Sequence, residues 1–302
     1  MPKYVGIPTL FPGYGPNPAV SQAITGRIVI ALRRIRRQTA PGVSGPTHRT
    51  IMPADMPLET IAIIACAYFI AAFVKGATGL GFSTSALPVL ALGIGLKAAM
   101  PLVIIPSLAS NLIVMIGAGH FRETVTRFWP MFIATLPGLV LGLFLLDLVD
   151  GLLAGAVLGA VLMIYGAISL RRAGAVLPGR MARPLAPVIG FATGIINGIT
   201  GSQVMPVLPF LLAMRLDPKR FIQAINISFS LSSLVMAVGL THLGLMTQES
   251  VWISLFGLVP VYAGTKLGSL VRARLDAETF RKLVLVMLMI FGVILMGKAG
   301  LA

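Results

Sequence analysis

Residues 73–90 read FVKGATGLGFSTSALPVL. A lysine, three glycines, a row of hydroxyls and a proline sit inside an apolar segment running from Leu58 to Leu96. Three glycines and Pro88 weaken an α-helix, so a break is expected here rather than one straight helix. A charged side chain at a helix centre in lipid costs about 2.5–3.5 kcal/mol even on the lenient insertion scale, so such groups line polar interiors. Lys75 therefore either faces a polar cavity or snorkels to an interface.

Composition fixes the solvent. Hydrophobic residues make up 57% of the 302 residues and charged residues 11%, against roughly 25% charge in ordinary soluble domains. Beyond residue 57 apolar segments follow one another at Leu58 to Leu96, Ala98 to Gly119, Phe128 to Val149, Leu152 to Leu170, Leu185 to Met214, Phe221 to Leu243, Val251 to Val271 and Leu283 to Leu301. Each is long enough to cross about 30 Å of hydrocarbon as a helix. The sequence is that of an all-α polytopic membrane protein in contact with the lipid bilayer, and alternating ten-residue barrel strands are absent from it. Residues 1–57 lack an apolar anchor and carry Arg33, Arg34, Arg36 and Arg37. They read as a disordered N-terminal extension, with Met52 and Met56 as alternative starts.

The net charge of +15 does not imply nucleic acid, because the basic residues collect in the gaps between apolar segments. Arg171, Arg172, Arg180 and Arg183 form one group, Arg215, Lys219 and Arg220 a second, and Arg272, Arg274, Arg281 and Lys282 a third. That is the positive-inside pattern of a cell membrane, here a bacterial inner membrane. The lone Cys66 excludes an intrachain disulfide and a thiolate cluster. Neither a phosphate-binding loop, nor a zinc-protease helix, nor a nucleophile elbow is present, so no enzyme activity, cofactor or metal is expected.

The membrane part divides into residues 58–170, a basic linker at 171–184, and residues 185–302. Lys75-Gly76-Ala77-Thr78-Gly79 has its counterpart in Asn197-Gly198-Ile199-Thr200-Gly201, and a proline-bearing apolar run follows each. These are two repeats. After each comes a polar stripe on one helical face: Ser107, Ser110 and Asn111, then Gln223, Asn226, Ser230 and Ser233. If each opening segment folds back as two short helices, every strong basic cluster after residue 57 falls on the cytoplasmic side and the repeats have inverted topology. The competing count, eight straight spans in two parallel repeats, breaks the charge rule in one half. Gly151, Gly155 and Gly159, spaced by four, read as helix packing, whereas Gly76, Gly79 and Gly81 read as parts of the break.

Broken helices expose amides that favour an anion. The candidate site comprises Lys75, Gly76, Thr78, Gly79, Gly81 and Asn111 from the first half, with Asn197, Gly198, Thr200, Gly201, Gln203 and Asn226 from the second. In this reading the two breaks face each other and share one anion. Lys75 supplies charge, the threonine hydroxyls and the amides of Gly79 and Gly201 supply directed donors, and Asn197, Gln203 and Asn226 complete the shell. His120 and His242 sit at segment ends and read as interfacial.

At these residues the chain resembles a known family. FVKGATGLGF with its following proline, GIINGITGSQ with MPVLP, and QAINISFS are similar to the TauE/SafE sulfite exporter-like permeases, also called the 4-toluene sulfonate uptake permease family. The resemblance covers residues 58 to 301. It implies a duplicated helical secondary transporter for a small sulfur-containing anion such as sulfite, sulfoacetate or another organosulfonate. A non-transporting membrane sensor or assembly factor is the alternative, and a homo-oligomer is compatible with either.

Overall fold

The computed structural model describes residues 58–78, 81–171, 177–272 and 277–301; the reading of residues 1–57 as an extension lies outside them. Eleven helices occupy the described residues: α1 Leu58–Thr78, α2 Phe82–Ile94, α3 Leu96–Ala118, α4 Phe121–Leu148, α5 Gly151–Arg171, α6 Gly179–Thr200, α7 Val207–Ala213, α8 Pro218–His242, α9 Gln248–Phe256, α10 Leu258–Arg272 and α11 Ala277–Gly300. No strand occurs among them. Seven helical stretches, with α9 and α10 counted together, are long and apolar enough to cross a membrane. The protein is an all-α polytopic membrane protein.

Two segments differ from the expected outline. The first arms of the opening segments are not short: α1 has 21 residues and α6 has 22, while α2 and α7 have 13 and 7. The helix α1 runs on through Gly76 because that glycine is packed rather than loose. The apolar run Val251 to Val271 is interrupted at Gly257, since Pro260 cannot donate to the carbonyl one turn before it. The chain nevertheless stays helical in direction, with Gly257 N donating to Ile253 O and Val261 N to Gly257 O.

Helix pairing runs between the two halves of the chain. The most extensive contacts join α4 to α6, α1 to α10, α5 to α11 and α3 to α8. The first helix of each half thus lies against the fourth helical element of the other, with α9 and α10 counted as one. Glycines make both seams close. A Cβ at Gly138 or Gly142 of α4 would strike the backbone at Phe191 or Ile195 of α6, and one at Gly190, Gly194 or Gly198 would strike the α4 backbone in return. Gly76, Gly264 and Gly268 play the same part between α1 and α10. Four-residue spacing brings small residues onto one face and lets backbones approach, which is what drives association where lipid offers no hydrophobic gain. In α5, Gly159 meets the Gly292 carbonyl of α11, whereas Gly155 only touches the Leu295 side chain at 3.9 Å and Gly151 lies near Lys97. Of the three glycines read as packing positions, Gly159 alone meets neighbouring backbone.

The contacts also sort the helix ends. At one end of the bundle Lys298 Nζ donates to Leu92 O at 2.8 Å, and a cavity of about 500 Å³ joins Thr60, Ile94, Lys97, Gly244 and Thr247. At the other end Arg220 pairs with Glu123 at 2.9 Å, Leu177 N donates to Ala213 O at 2.8 Å, and Arg281 reaches Ser169 O at 3.3 Å. The start of α1 and the end of α2 therefore share one end, and the start of α6 and the end of α7 share the other.

Prolines inside membrane helices leave carbonyls without an amide partner, and side chains answer them. Pro106 in α3 has no N–H for Leu102 O; the fully buried Tyr68 donates its phenol there, with Ser254 Oγ at 3.0 Å. An orphaned carbonyl in hydrocarbon would cost several kcal/mol.

The seams make a paired prediction. Gly→Ala raises helix propensity by up to about 1 kcal/mol at either site, but at Gly142 the new methyl overpacks α6 at a cost of about 1–3 kcal/mol. Gly142→Ala should lower the thermal midpoint of the detergent-solubilised protein, and Gly155→Ala should leave it unchanged or raise it. Equal midpoints for the two variants would refute the seam.

Candidate functional site

Lys75 lies in the last turn of α1, where the helix dipole favours a cation. Its side chain is 5% exposed, so it does not snorkel. The ammonium donates to Ser110 Oγ at 2.7 Å and to Asn111 Oδ1 at 2.8 Å, both on α3, while Ser110 Oγ donates onward to Ser107 O at 3.0 Å. No buried carboxylate accompanies it among the described residues, and Lys75 is the one buried Lys, Arg, Asp or Glu among them. A basic amine is therefore held by neutral oxygens inside the bundle.

After Lys75 the chain breaks and restarts. Gly81 precedes α2 with φ 88°, a left-handed conformation that favours glycine, and no side chain caps the new helix. The amides of Phe82, Ser83 and Thr84 thus precede the first bond of the new helix, Ser85 N to Gly81 O at 2.9 Å, and lack an intrahelical partner. Ser83, Thr84 and Ser85 are buried in that turn. These hydroxyls belong to the quoted stretch but were not in the expected set; their signal was the spacing from Gly81 to the next helix start. The side chain of Thr78 and residue Gly79 lie outside the described residues.

In the second half α6 ends at Thr200, and Gly201, at φ 70°, caps it by donating its N–H to Asn197 O at 2.7 Å. A Cβ on Gly201 would sit 3.2 Å from Leu87 Cδ1 and 3.1 Å from Met100 Cγ. The second break thus abuts α2 and α3 of the first half.

Several expected roles change. Gly76 and Gly198 are not parts of the breaks but close-packing positions, because each faces the backbone of a neighbouring helix. The Thr200 hydroxyl is not a free donor: it donates to Ile196 O at 2.6 Å and accepts from Ser202 N at 3.1 Å. Asn226 spends an amide hydrogen on Ile222 O at 2.7 Å, and Gln203 spends one on Ser233 Oγ at 3.3 Å. Asn111 serves as a partner of Lys75. Asn197 is fully buried, and neither its oxygen nor its nitrogen has a protein partner.

The two polar stripes lie on helices packed against each other, α3 and α8. Ser107, Asn111, Gln223, Asn226, Ser230 and Ser233 are all buried. In the orientation that satisfies both of its amide atoms, Gln223 donates to Met115 O at 2.8 Å and Gly119 O at 2.7 Å, closing the end of α3. His120 and His242 are exposed at helix ends, and Lys266 is exposed over the Tyr262 ring at 5.6 Å; none of the three enters the interior.

A double-mutant cycle tests whether Asn111 supports the charge. Asn111→Leu alone should destabilise the protein by about 1.5–3 kcal/mol, the range for a hydrogen bond to a charged group. In a Lys75→Met background the same change should cost much less, because methionine needs no polar partner. Additive effects on the thermal midpoint would show that the bonds contribute nothing.

Comparison with known proteins gives the family. A family model described as "Sulfite exporter TauE/SafE" matches residues 64–295, from within α1 to within α11, and so takes in both breaks. No curated protein and no solved structure matches. The chain, a multi-pass protein of the cell membrane, belongs to the TauE/SafE sulfite exporter family, whose members are transporters and not enzymes.

Proposed function

We infer that this transporter moves a small sulfur-containing oxyanion by a secondary mechanism, binding it at the first break between Lys75 and the start of α2. One observation carries the reading: the ammonium of Lys75 is buried with neutral oxygen partners and no carboxylate. Two of its three hydrogens are engaged, which leaves one for a ligand. The uncapped first turn of α2 and the hydroxyls of Ser83 and Thr84 add donors at fixed angles. Several donors aimed differently suit a tetrahedral or pyramidal oxyanion better than a spherical halide. The family's description as sulfite exporters supports sulfite as that oxyanion, and an organosulfonate presents the same pyramidal array of oxygens.

The second break enters this reading as the opposite wall. In it, each half opens with a segment that leaves and returns to the same bundle end, and the halves are inverted repeats. The cross-paired seams and the sorted helix ends support that arrangement. The basic residues then fall at the end bearing Arg171, Arg220 and Arg281, which is the cytoplasmic end by the charge rule. Alternating access would follow from rocking about the fixed breaks, as in other transporters with discontinuous helices.

The test is flux in proteoliposomes containing this protein alone. Wild type should carry sulfite or a sulfonate without a partner protein, which a sensor would not do. Lys75→Met should insert and fold yet lose anion affinity by about 10-fold or more, the worth of one charge-assisted bond. Thr84→Val should cost about 0.5–1.5 kcal/mol. If Lys75→Met bound and transported as wild type does, the reading would be wrong.

A further inference from the structure

The second break differs from the first in what it lacks. Asn197 follows Lys75 by the same number of residues as Lys219 follows Lys97 and His242 follows His120. The same step carries Ser110 and Asn111, the two partners of the Lys75 ammonium, onto Ser232 and Ser233. In the first half a cation is bolted to the chain and seated on oxygens. In the second half the oxygens are there without it.

Ser233 Oγ accepts from Gln203 Nε2 at 3.3 Å, but other oxygens of the second break, and that of Ser232, are buried and unsatisfied. Asn197 and Ser202 are 0% exposed, Ser232 1% and Gln203 4%. Neither Asn197 Oδ1, Ser202 Oγ, Gln203 Oε1 nor Ser232 Oγ has a protein hydrogen-bond partner. Ser230 Oγ, also on α8, is unpartnered too. Gln203 is tied to α8 through Ser233, which joins the break to the helix bearing the serines. The α6 helix also ends here, and its last carbonyls carry the negative end of the helix dipole.

We propose that the second break binds an alkali cation, which takes there the place that the Lys75 ammonium holds in the first. The proposal rests on the transport reading above, since it makes this cation the partner of the transported anion. The ligand class follows from the donor set. Amide, hydroxyl and carbonyl oxygens with no ionisable side chain among them cannot exchange a proton, so proton coupling at this place is excluded. A divalent ion would ask for carboxylates, and no group of acidic, histidine or cysteine side chains that could hold a metal occurs among the described residues. Unwound backbone and helix C-terminal ends are suited to a monovalent ion. The closeness of Gly201 to Leu87 and Met100 sets this position against α2 and α3, the helices that follow the first break, so that a cation there strengthens the field that holds the anion.

The experiment uses the full chain in detergent and in proteoliposomes, with sodium, potassium or choline chloride at fixed ionic strength. Sodium or potassium, but not choline, should raise the thermal midpoint with a saturating dependence and tighten binding of sulfite. Ser232→Ala should raise the half-saturating concentration of the cation by about tenfold, one lost contact to a charged ion. Asn197→Lys should supply the charge covalently, so that the midpoint and anion binding become independent of the alkali ion. Equal midpoints in sodium, potassium and choline for wild type would overturn the proposal, as would an unchanged cation response in Ser232→Ala; such buried oxygens would then be served by water alone. Anion binding without any alkali-ion response would remove the cation site and leave the transport reading intact. An alkali-ion response without sulfite or sulfonate binding would do the reverse.

Discussion

Hydrocarbon offers no hydrogen bonds, so every backbone group that leaves a helical ladder must find a partner inside the protein. This chain leaves the ladder often. Seven prolines lie inside α2, α3, α4 and α6 alone, and the two breaks open further gaps. The partners are then side chains placed for the purpose: Tyr68 and Ser254 at Leu102 O, Gln223 at the end of α3, and Lys298 at the end of α2. Much of the polar inventory that looks functional in the sequence is consumed in this way. Thr200 illustrates it, since its hydroxyl closes the last turn of α6 on Ile196 O.

The same constraint explains why the residue groups that stay unpartnered are informative. A buried amide or hydroxyl without a partner is costly in a low-dielectric interior, and here such groups gather at the second break and on the stripes of α3 and α8. The Lys75 ammonium is a different case. Its bonds to Ser110 and Asn111 satisfy hydrogens without an ion pair, so the charge of the protonated amine is left for a ligand to neutralise.

The helical membrane class was legible from composition and segment length, whereas the cost of a charge in lipid left Lys75 either facing a polar cavity or snorkelling, and only its burial against α3 separates the two. The polar stripes were legible from their spacing, and both are buried on facing helices. Glycine was the harder residue to read. Gly76 and Gly81 stand five positions apart in one motif, yet one is packed against the α10 backbone and the other takes a left-handed turn. A missing Cβ permits both close approach and unusual φ, and only the position of a distant helix decides between them. Thr200 was misread for a related reason. A threonine hydroxyl that bonds its own helix one turn back gives no sign of it in the sequence. The length of α1 followed from the same ambiguity, because a glycine that packs does not end a helix.

The exchange of first helices between the halves also bears on how the protein is made. Residues enter the membrane in chain order, yet the glycine face of α1 finds its partner only when α10 has been synthesised, and α5 waits for α11. The early half must therefore sit in lipid with its close-packing grooves unfilled for most of translation. Neither half can mature as a unit in the way that consecutive soluble domains do. Contacts this distant in sequence make assembly slow relative to insertion, and a chain halted before residue 258 would lack the backbone against which Gly76 is shaped. The seams of α1 with α10 and of α5 with α11 are among the last to form, whereas α4 meets α6 soon after the linker.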